Sequence, residues 1–306
     1  MDITIVLRQM FILFSLMSVG FTLRKLKILD QNSDKLLTHL VLSVVLPAAI
    51  LLGVTGASGG RGNLYLAYVL GISLLAFVIT GVLAWTVSRL MGAKERTDKG
   101  ALASIGMFGN LVYMGFPLIL GLFGAENMFY AVLFNFISNI FAFSLGIRLL
   151  TGAQGSLSLK QLVNPLMCTS VFAILLFMLN VRIPPLIEAP LSHLGNMLTP
   201  LGMILIGSIL GGMEVKEIFF GWRVYVSIGM KLLIAPVAVF LVLSRFVADP
   251  VLLGILVVLS AMPTAPRTIM LCIRHGGNYK MISQGIFIAT VLSILTIPLV
   301  IHVLGI

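Results

Sequence analysis

Two basic side chains, Lys231 and Arg267, stand inside long apolar segments of this 306-residue chain, whereas all ten Asp and Glu residues lie in loops or at segment ends. An ionisable group within hydrocarbon is costly to bury and marks a functional position by default. Arg267 directly follows a proline-rich interruption, Pro263–Pro266, where a new stretch of helix would begin. A helix N-terminus offers free N–H groups and a positive dipole end, and both favour an anion. The guanidinium adds a two-pronged donor suited to a carboxylate. The chemistry this predicts is anion binding; the bland alternative is an arginine that snorkels or pairs with backbone carbonyls. Lys231 precedes Pro236 by five residues. It fits either a substrate contact or a cation holding the carbonyls of a broken helix, and both remain open. Asn110 lies ahead of Gly115 and Pro117 in a second interrupted segment, and its amide both donates and accepts. Helix-to-helix hydrogen bonding is its alternative role. Tyr113 and Thr264 add hydroxyls beside the same two interruptions. Asn135, Ser138 and Asn139 share one helical face by their spacing and read as packing contacts. Asn164-Pro165 and Asp249-Pro250 read as cap and first-turn pairs that start helices.

Several kinds of chemistry are excluded. With no carboxylate mid-segment, paired-carboxylate catalysis and a carboxylate proton relay have no support. His39, His193, His275 and His302 are scattered, without metal-ligand spacing. The stretch Gly56–Gly62 lacks the Gly-Lys-Ser/Thr ending of a phosphate loop and reads as an external turn. Cys168 and Cys272 lie in apolar segments without CxxC spacing and read as two buried, inert thiols. No cofactor is called for, and an enzyme is the weakest class. A net charge of +10 is spread through short loops, so nucleic acid is not an expected partner.

The elements that position these residues are membrane helices. Hydrophobic residues make up 59% of the chain, charged residues only 10%, and mean hydropathy is +1.13. So few charges could not cover a water-soluble domain, so the lipid bilayer is the expected solvent. Roughly twenty apolar residues span a bilayer. Ten such segments fall near 3–23, 35–55, 64–88, 99–122, 126–150, 162–181, 190–211, 221–245, 251–273 and 281–304. The first is a retained helix and not a signal peptide, because Asp2 replaces a basic leader and Arg24-Lys25-Leu26-Lys27 follow the apolar run. One set of alternate loops holds fourteen cations: Arg24, Lys25, Lys27, Lys35, Arg89, Lys94, Arg96, Lys99, Arg148, Lys160, Lys216, Arg223, Arg274 and Lys280. The other holds four: Arg8, Arg61, Arg182 and Arg245. The positive-inside rule then puts both termini outside the cytoplasm.

The two interruptions, Gly109–Pro117 and Ser260–Arg267, fall at matching places in the two halves of the chain. Broken backbone inside a bilayer is tolerated only where protein or a water-lined cavity satisfies it, and paired breaks point to a substrate site. Gly115, Pro117, Pro263 and Pro266 are expected to shape the breaks. His39, Pro47 and Gly53 are echoed by His193, Pro200 and Gly207, with the histidine 14 residues before the glycine in both. The halves are offset by 154 at the histidines and by 146 if Pro117 is matched to Pro263. An odd number of segments per half inverts one half relative to the other. The expected fold is an all-α polytopic membrane protein: ten transmembrane helices as two inverted five-helix repeats, with broken, crossing helices 4 and 9. The first repeat covers 1–151, a cytoplasmic linker 152–161, and the second repeat 162–306.

The motifs at these positions resemble a known family. Gly109-Asn110 through Gly115-Phe116-Pro117-Leu118, with Leu122-Phe123-Gly124, is similar to the fourth-helix signature of the auxin efflux carrier family, whose bacterial members include malate and malonate permeases. Met262-Pro263-Thr264-Ala265 resembles the ninth-helix signature, Lys231-Leu232-Leu233 with Pro236 the eighth helix, and Leu46-Pro47-Ala48-Ala49 the second. The resemblance spans the whole chain, and the short 151–161 loop is like that of bacterial members. It implies a fold shared with sodium/bile-acid symporters. Helices 1, 2, 6 and 7 would form a scaffold, and helices 3–5 and 8–10 a moving transport domain. In plant carriers the asparagine at the position of Asn110 helps bind the substrate carboxylate. Pro266-Arg267 departs from the usual small or apolar residues, and a fixed cation there favours a more highly charged substrate such as a dicarboxylate. The implied activity is secondary transport of small organic anions across the plasma membrane by elevator-type alternating access. Asn110, Tyr113, Thr264, Arg267 and Lys231 are the candidate substrate-binding residues. A homodimer through the scaffold helices is an arrangement this allows. Sodium-coupled symport and a receptor that binds an anion without moving it are the competing readings.

Overall fold

The computed structural model describes residues 3–56, 62–150, 165–179, 181, 183–213, 221–274 and 278–306. Among these residues every regular element is helical, apart from a single antiparallel bridge between Gly109 and Thr264. In chain order the first half comprises α1 (Ile3–Lys25), α2 (Gln31–Leu40), α3 (Leu46–Gly56), α4 (Asn63–Leu90), α5 (Arg96–Met107), α6 (Phe116–Phe123), α7 (Met128–Phe141) and α8 (Ile147–Leu150). The second comprises α9 (Pro165–Met178), α10 (Pro185–Asn196), α11 (Leu198–Gly211), α12 (Trp222–Gly229), α13 (Ala235–Leu243), α14 (Pro250–Ser260), α15 (Arg267–Arg274) and α16 (Tyr279–Leu304).

Seven continuous helical runs among the described residues are long and apolar enough to cross a membrane, and three shorter apolar helices lie at Leu111–Phe123, Pro165–Met178 and Pro250–Ser260. The short ones correspond to the expected fourth, sixth and ninth segments. The fourth and ninth are short because they are interrupted. The sixth was expected from 162, but 151–164 lie outside the described residues, as do the repeat boundary, the 152–161 linker and Asn164. So do residues 57–61 of the glycine-rich stretch, Lys160, Arg182 and Lys216 of the charge census, and His275. Large apolar side chains point outward along the helices, with Phe11 75%, Leu64 88% and Leu295 73% exposed. Such a surface needs hydrocarbon as its solvent.

Pro117, expected to shape a break, does not end its helix. Pro47, Pro117 and Pro236 each sit just after a wide turn, at Val41–Val45, Leu111–Gly115 and Met230–Ile234, where the backbone bonds five residues back. A proline strands the carbonyl four residues earlier and crowds it. The wider π turn moves that carbonyl away, so the helix continues through the proline. Gly115 and Pro117 therefore lie inside helix, and the first break is at Phe108–Asn110, the near end of the predicted interval. Elsewhere the helix starts follow the sequence. Asp249 accepts from the backbone N–H of Val251 at 2.9 Å and Leu252 at 3.3 Å, with Pro250 in the first turn of α14.

Helix α1 lies along α11, and glycines let the two backbones meet. A methyl group on Gly20 would run into the carbonyl of Ile204, and one on Gly207 into that of Met17. At the end of this contact Arg24 pairs with Asp34 at 3.0 Å, and the Ser208 hydroxyl donates to Asp34 at 2.5 Å, joining α1, α2 and α11. Helix α3 packs on α9 and α10. A second group forms around α4, which packs on α5, α7 and α13, while α16 packs on α5 and α12. A chain of hydroxyls ties α4, α7 and the start of α14: Tyr65 and Tyr130 share a 2.6 Å hydrogen bond, and Tyr130 donates to Asp249 at 3.2 Å. One thiol differs from expectation. Cys272 is buried, but Cys168 is exposed, because the helix Pro165–Met178 turns that position outward.

Candidate site at the crossing of two broken helices

Helix α5 ends at Met107 because Phe108, Gly109 and Asn110 leave helical geometry, and α14 ends before the Ala261–Pro266 segment. The two unwound segments meet. The Asn110 N–H donates to the Pro263 carbonyl at 2.6 Å, and the Ala265 N–H donates to the Phe108 carbonyl at 2.9 Å. Gly109 thus stands opposite Thr264. Buried backbone groups freed by each break are satisfied by the other, as a spanning chain requires. Gly109 sits in a close approach: a methyl group would lie 3.2 Å from the Met262 side chain and 3.4 Å from Lys231 Nζ.

The last carbonyls of α5 carry the negative end of its dipole and have no partner within the helix. Residues of the second half answer them. Thr264 Oγ1 donates to the Ile105 carbonyl at 3.0 Å, and Lys231 Nζ donates to the Met107 carbonyl at 3.4 Å. Lys231 is 2% exposed and sits in the Met230–Ile234 π turn. Of the two roles open for it, this geometry is that of the supporting one. Thr264 is likewise fully enclosed and engaged with backbone.

Arg267 is the first residue of α15, immediately after the crossing. Its guanidinium reaches across to α7, where Nη2 donates to Ser138 Oγ at 2.9 Å and Nη1 donates to Asn139 Oδ1. Ser138 and Asn139 were expected to be packing contacts, and the contact they make is with the arginine at the crossing. Their shared face was legible in the spacing, but its partner lies 128 residues away from Asn139 in the chain. Neither Arg267 nor Lys231 meets a carboxylate among the described residues. Asn110 caps the following turn through its Oδ1, which accepts from the Tyr113 N–H at 3.3 Å. Tyr113 is buried, packs close to Gly202 of α11, and lies within electrostatic range of Arg267.

These bonds fix what remains free. With Oδ1 of Asn110 and of Asn139 each accepting, the amide atom left with no partner in both is Nδ2. Both Nδ2 groups are buried without a partner among the described residues, as is Nε of Arg267. The atoms of these three residues left with no partner are all donors, so what satisfies them must bring acceptors. An unpartnered buried group costs about 1–3 kcal/mol. A carboxylate, which accepts only, matches this set.

Comparison with known proteins agrees with the architecture. The family model described as "Membrane transport protein" matches residues 5–159 and 153–301. An uncharacterized transporter of Methanocaldococcus jannaschii is 27% identical over 297 residues, covering 94% of this chain and 95% of its own. An uncharacterized transporter of Methanothermobacter thermautotrophicus is 27% identical over 297 residues, covering 93% of each. A match over almost the whole chain, on helices whose unwound segments bind each other, shows that the protein belongs to the membrane transport protein family, the auxin efflux carrier family that its motifs resemble.

Proposed function

We propose that the protein is a secondary transporter of small organic anions, working at the crossing of its two broken helices. The observation that carries this reading is the charge and hydrogen-bond balance there: a guanidinium and unpartnered N–H donors, with no carboxylate among the described residues to answer them. Arg267 supplies the counter-charge, and Asn110 and Tyr113 supply hydrogen bonds. Thr264 and Lys231 hold the crossing together behind them. A fixed cation alongside neutral donors favours substrates with two carboxylates over those with one.

The wider reading is ten transmembrane helices in two inverted repeats, both termini outside the cytoplasm, in the plasma membrane. Two packing groups support an elevator-type motion. One contains α1–α3 and α9–α11. The other contains α4–α8 and α12–α16, joined internally by the crossing, the Arg267 contacts and the Tyr65–Tyr130–Asp249 chain. The second group would slide past the first carrying the bound anion. Uptake of labelled malate, malonate or an indole carboxylate into proteoliposomes tests the proposal. Saturable uptake that falls sharply in Arg267→Ala supports it. Absence of uptake and of counterflow for all three would overturn it.

A further inference from the structure

Asn135 has no part in the function described so far, yet it is wholly enclosed on α7, 0% exposed. Neither its Nδ2 nor its Oδ1 has a hydrogen-bond partner among the described residues. Burying a primary amide in this way is unfavourable, because both its donor and its acceptor lose water and gain nothing. Its position is not remote. It lies one turn before Asn139 and on the same helical face as Ser138, the two residues that hold Arg267. Helix α7 also packs on the Leu111–Gly115 turn that Asn110 caps.

The chemistry left free at Asn135 differs from that of its neighbours. At Asn110, Asn139 and Arg267 the atoms with no partner are all donors, which carboxylate oxygens can answer. Asn135 has a donor and an acceptor together, and a carboxylate, which only accepts, cannot answer both. A hydroxyl can, by accepting from Nδ2–H and donating to Oδ1. We infer that Asn135 reads a hydroxyl on the carbon next to the substrate's carboxylate, so that hydroxy-carboxylates are bound in preference to unsubstituted ones. This rests on the organic-anion reading above and adds to it a residue and a substrate class.

Two matched pairs of anions test it: malonate against hydroxymalonate, and succinate against malate, each titrated calorimetrically into purified protein in nanodiscs. The wild type should bind the hydroxylated member of each pair about tenfold or more tightly than its partner, because a site built around a hydroxyl rejects an analogue that lacks it. Asn135→Leu and Asn135→Ala should bind malonate as the wild type does and lose the preference. Retained malonate binding also reports that the variants fold and keep their carboxylate contacts. Equal affinities in the wild type, a preference surviving in both variants, or loss of malonate binding in both would each overturn the inference. A wild type that binds none of the four anions would overturn the organic-anion reading itself, and this inference with it.

Discussion

The two breaks are alike in backbone and unlike in charge. At the first, Phe108–Asn110, the side chains are neutral, and the carbonyl end of α5 is closed by groups from the second half. At the second, Ala261–Pro266 leads into α15 with Arg267 in its first position. Each segment gives the other one backbone hydrogen bond, so the meeting point is locally two-fold. The two cations nearby are used differently. Lys231 is directed at backbone, and its charge complements the helix dipole of α5. Arg267 is gripped by Ser138 and Asn139, while its Nε has no partner among the described residues. On the proposed function, the difference separates a cation that builds the crossing from one that equips it to hold an anion.

That separation can be broken by exchanging losses. Arg267→Gln should weaken carboxylate binding by about a hundredfold, equivalent to about 2.7 kcal/mol, with a smaller change in thermal stability. Lys231→Met should do the reverse. It leaves the Met107 carbonyl unsatisfied and lowers stability by about 1–3 kcal/mol in a denaturation assay, while anion affinity changes less. If Lys231→Met proved as damaging to affinity as Arg267→Gln, the division of roles would be wrong.

Smaller changes sharpen the same contrast. Gly109→Val would overfill the space against Met262 and Lys231, at a cost of about 1–3 kcal/mol visible as a lower unfolding temperature. Thr264→Val removes the donor to the Ile105 carbonyl and should cost about 1–2 kcal/mol, with Thr264→Ser restoring most of it. Ser138→Ala should have the least effect, raising the dissociation constant about threefold by loosening one of the two grips on Arg267. An unchanged constant in Ser138→Ala combined with Asn139→Ala would show that the grip does not serve binding.

Much of this arrangement was legible in the sequence, because membrane chemistry leaves few options. Two interrupted apolar segments had to satisfy each other, and a mid-membrane arginine had to find polar partners. The register was not legible. Pro117 looked like the mark of a break, but a π turn absorbs it without ending the helix, as one also does before Pro47 and Pro236. The first break comes instead around Gly109, where Met262 and Lys231 approach closely. The partner of Ser138 and Asn139 was not legible for a different reason. Polar residues on one helical face look the same whether they pack against a neighbour or hold a distant arginine, and only the fold supplies that partner. Lys231 likewise could not be assigned from sequence, since its acceptor is a backbone carbonyl with no residue-type signature.

The central claim is that the crossing binds an organic anion through Arg267. Its most direct test is binding of labelled malonate to purified wild type, Arg267→Lys and Arg267→Gln. The account predicts saturable binding to the wild type, weakened binding to Arg267→Lys, which keeps the charge but loses the fork, and about a hundredfold loss in Arg267→Gln. Wild-type affinity in Arg267→Gln would contradict it.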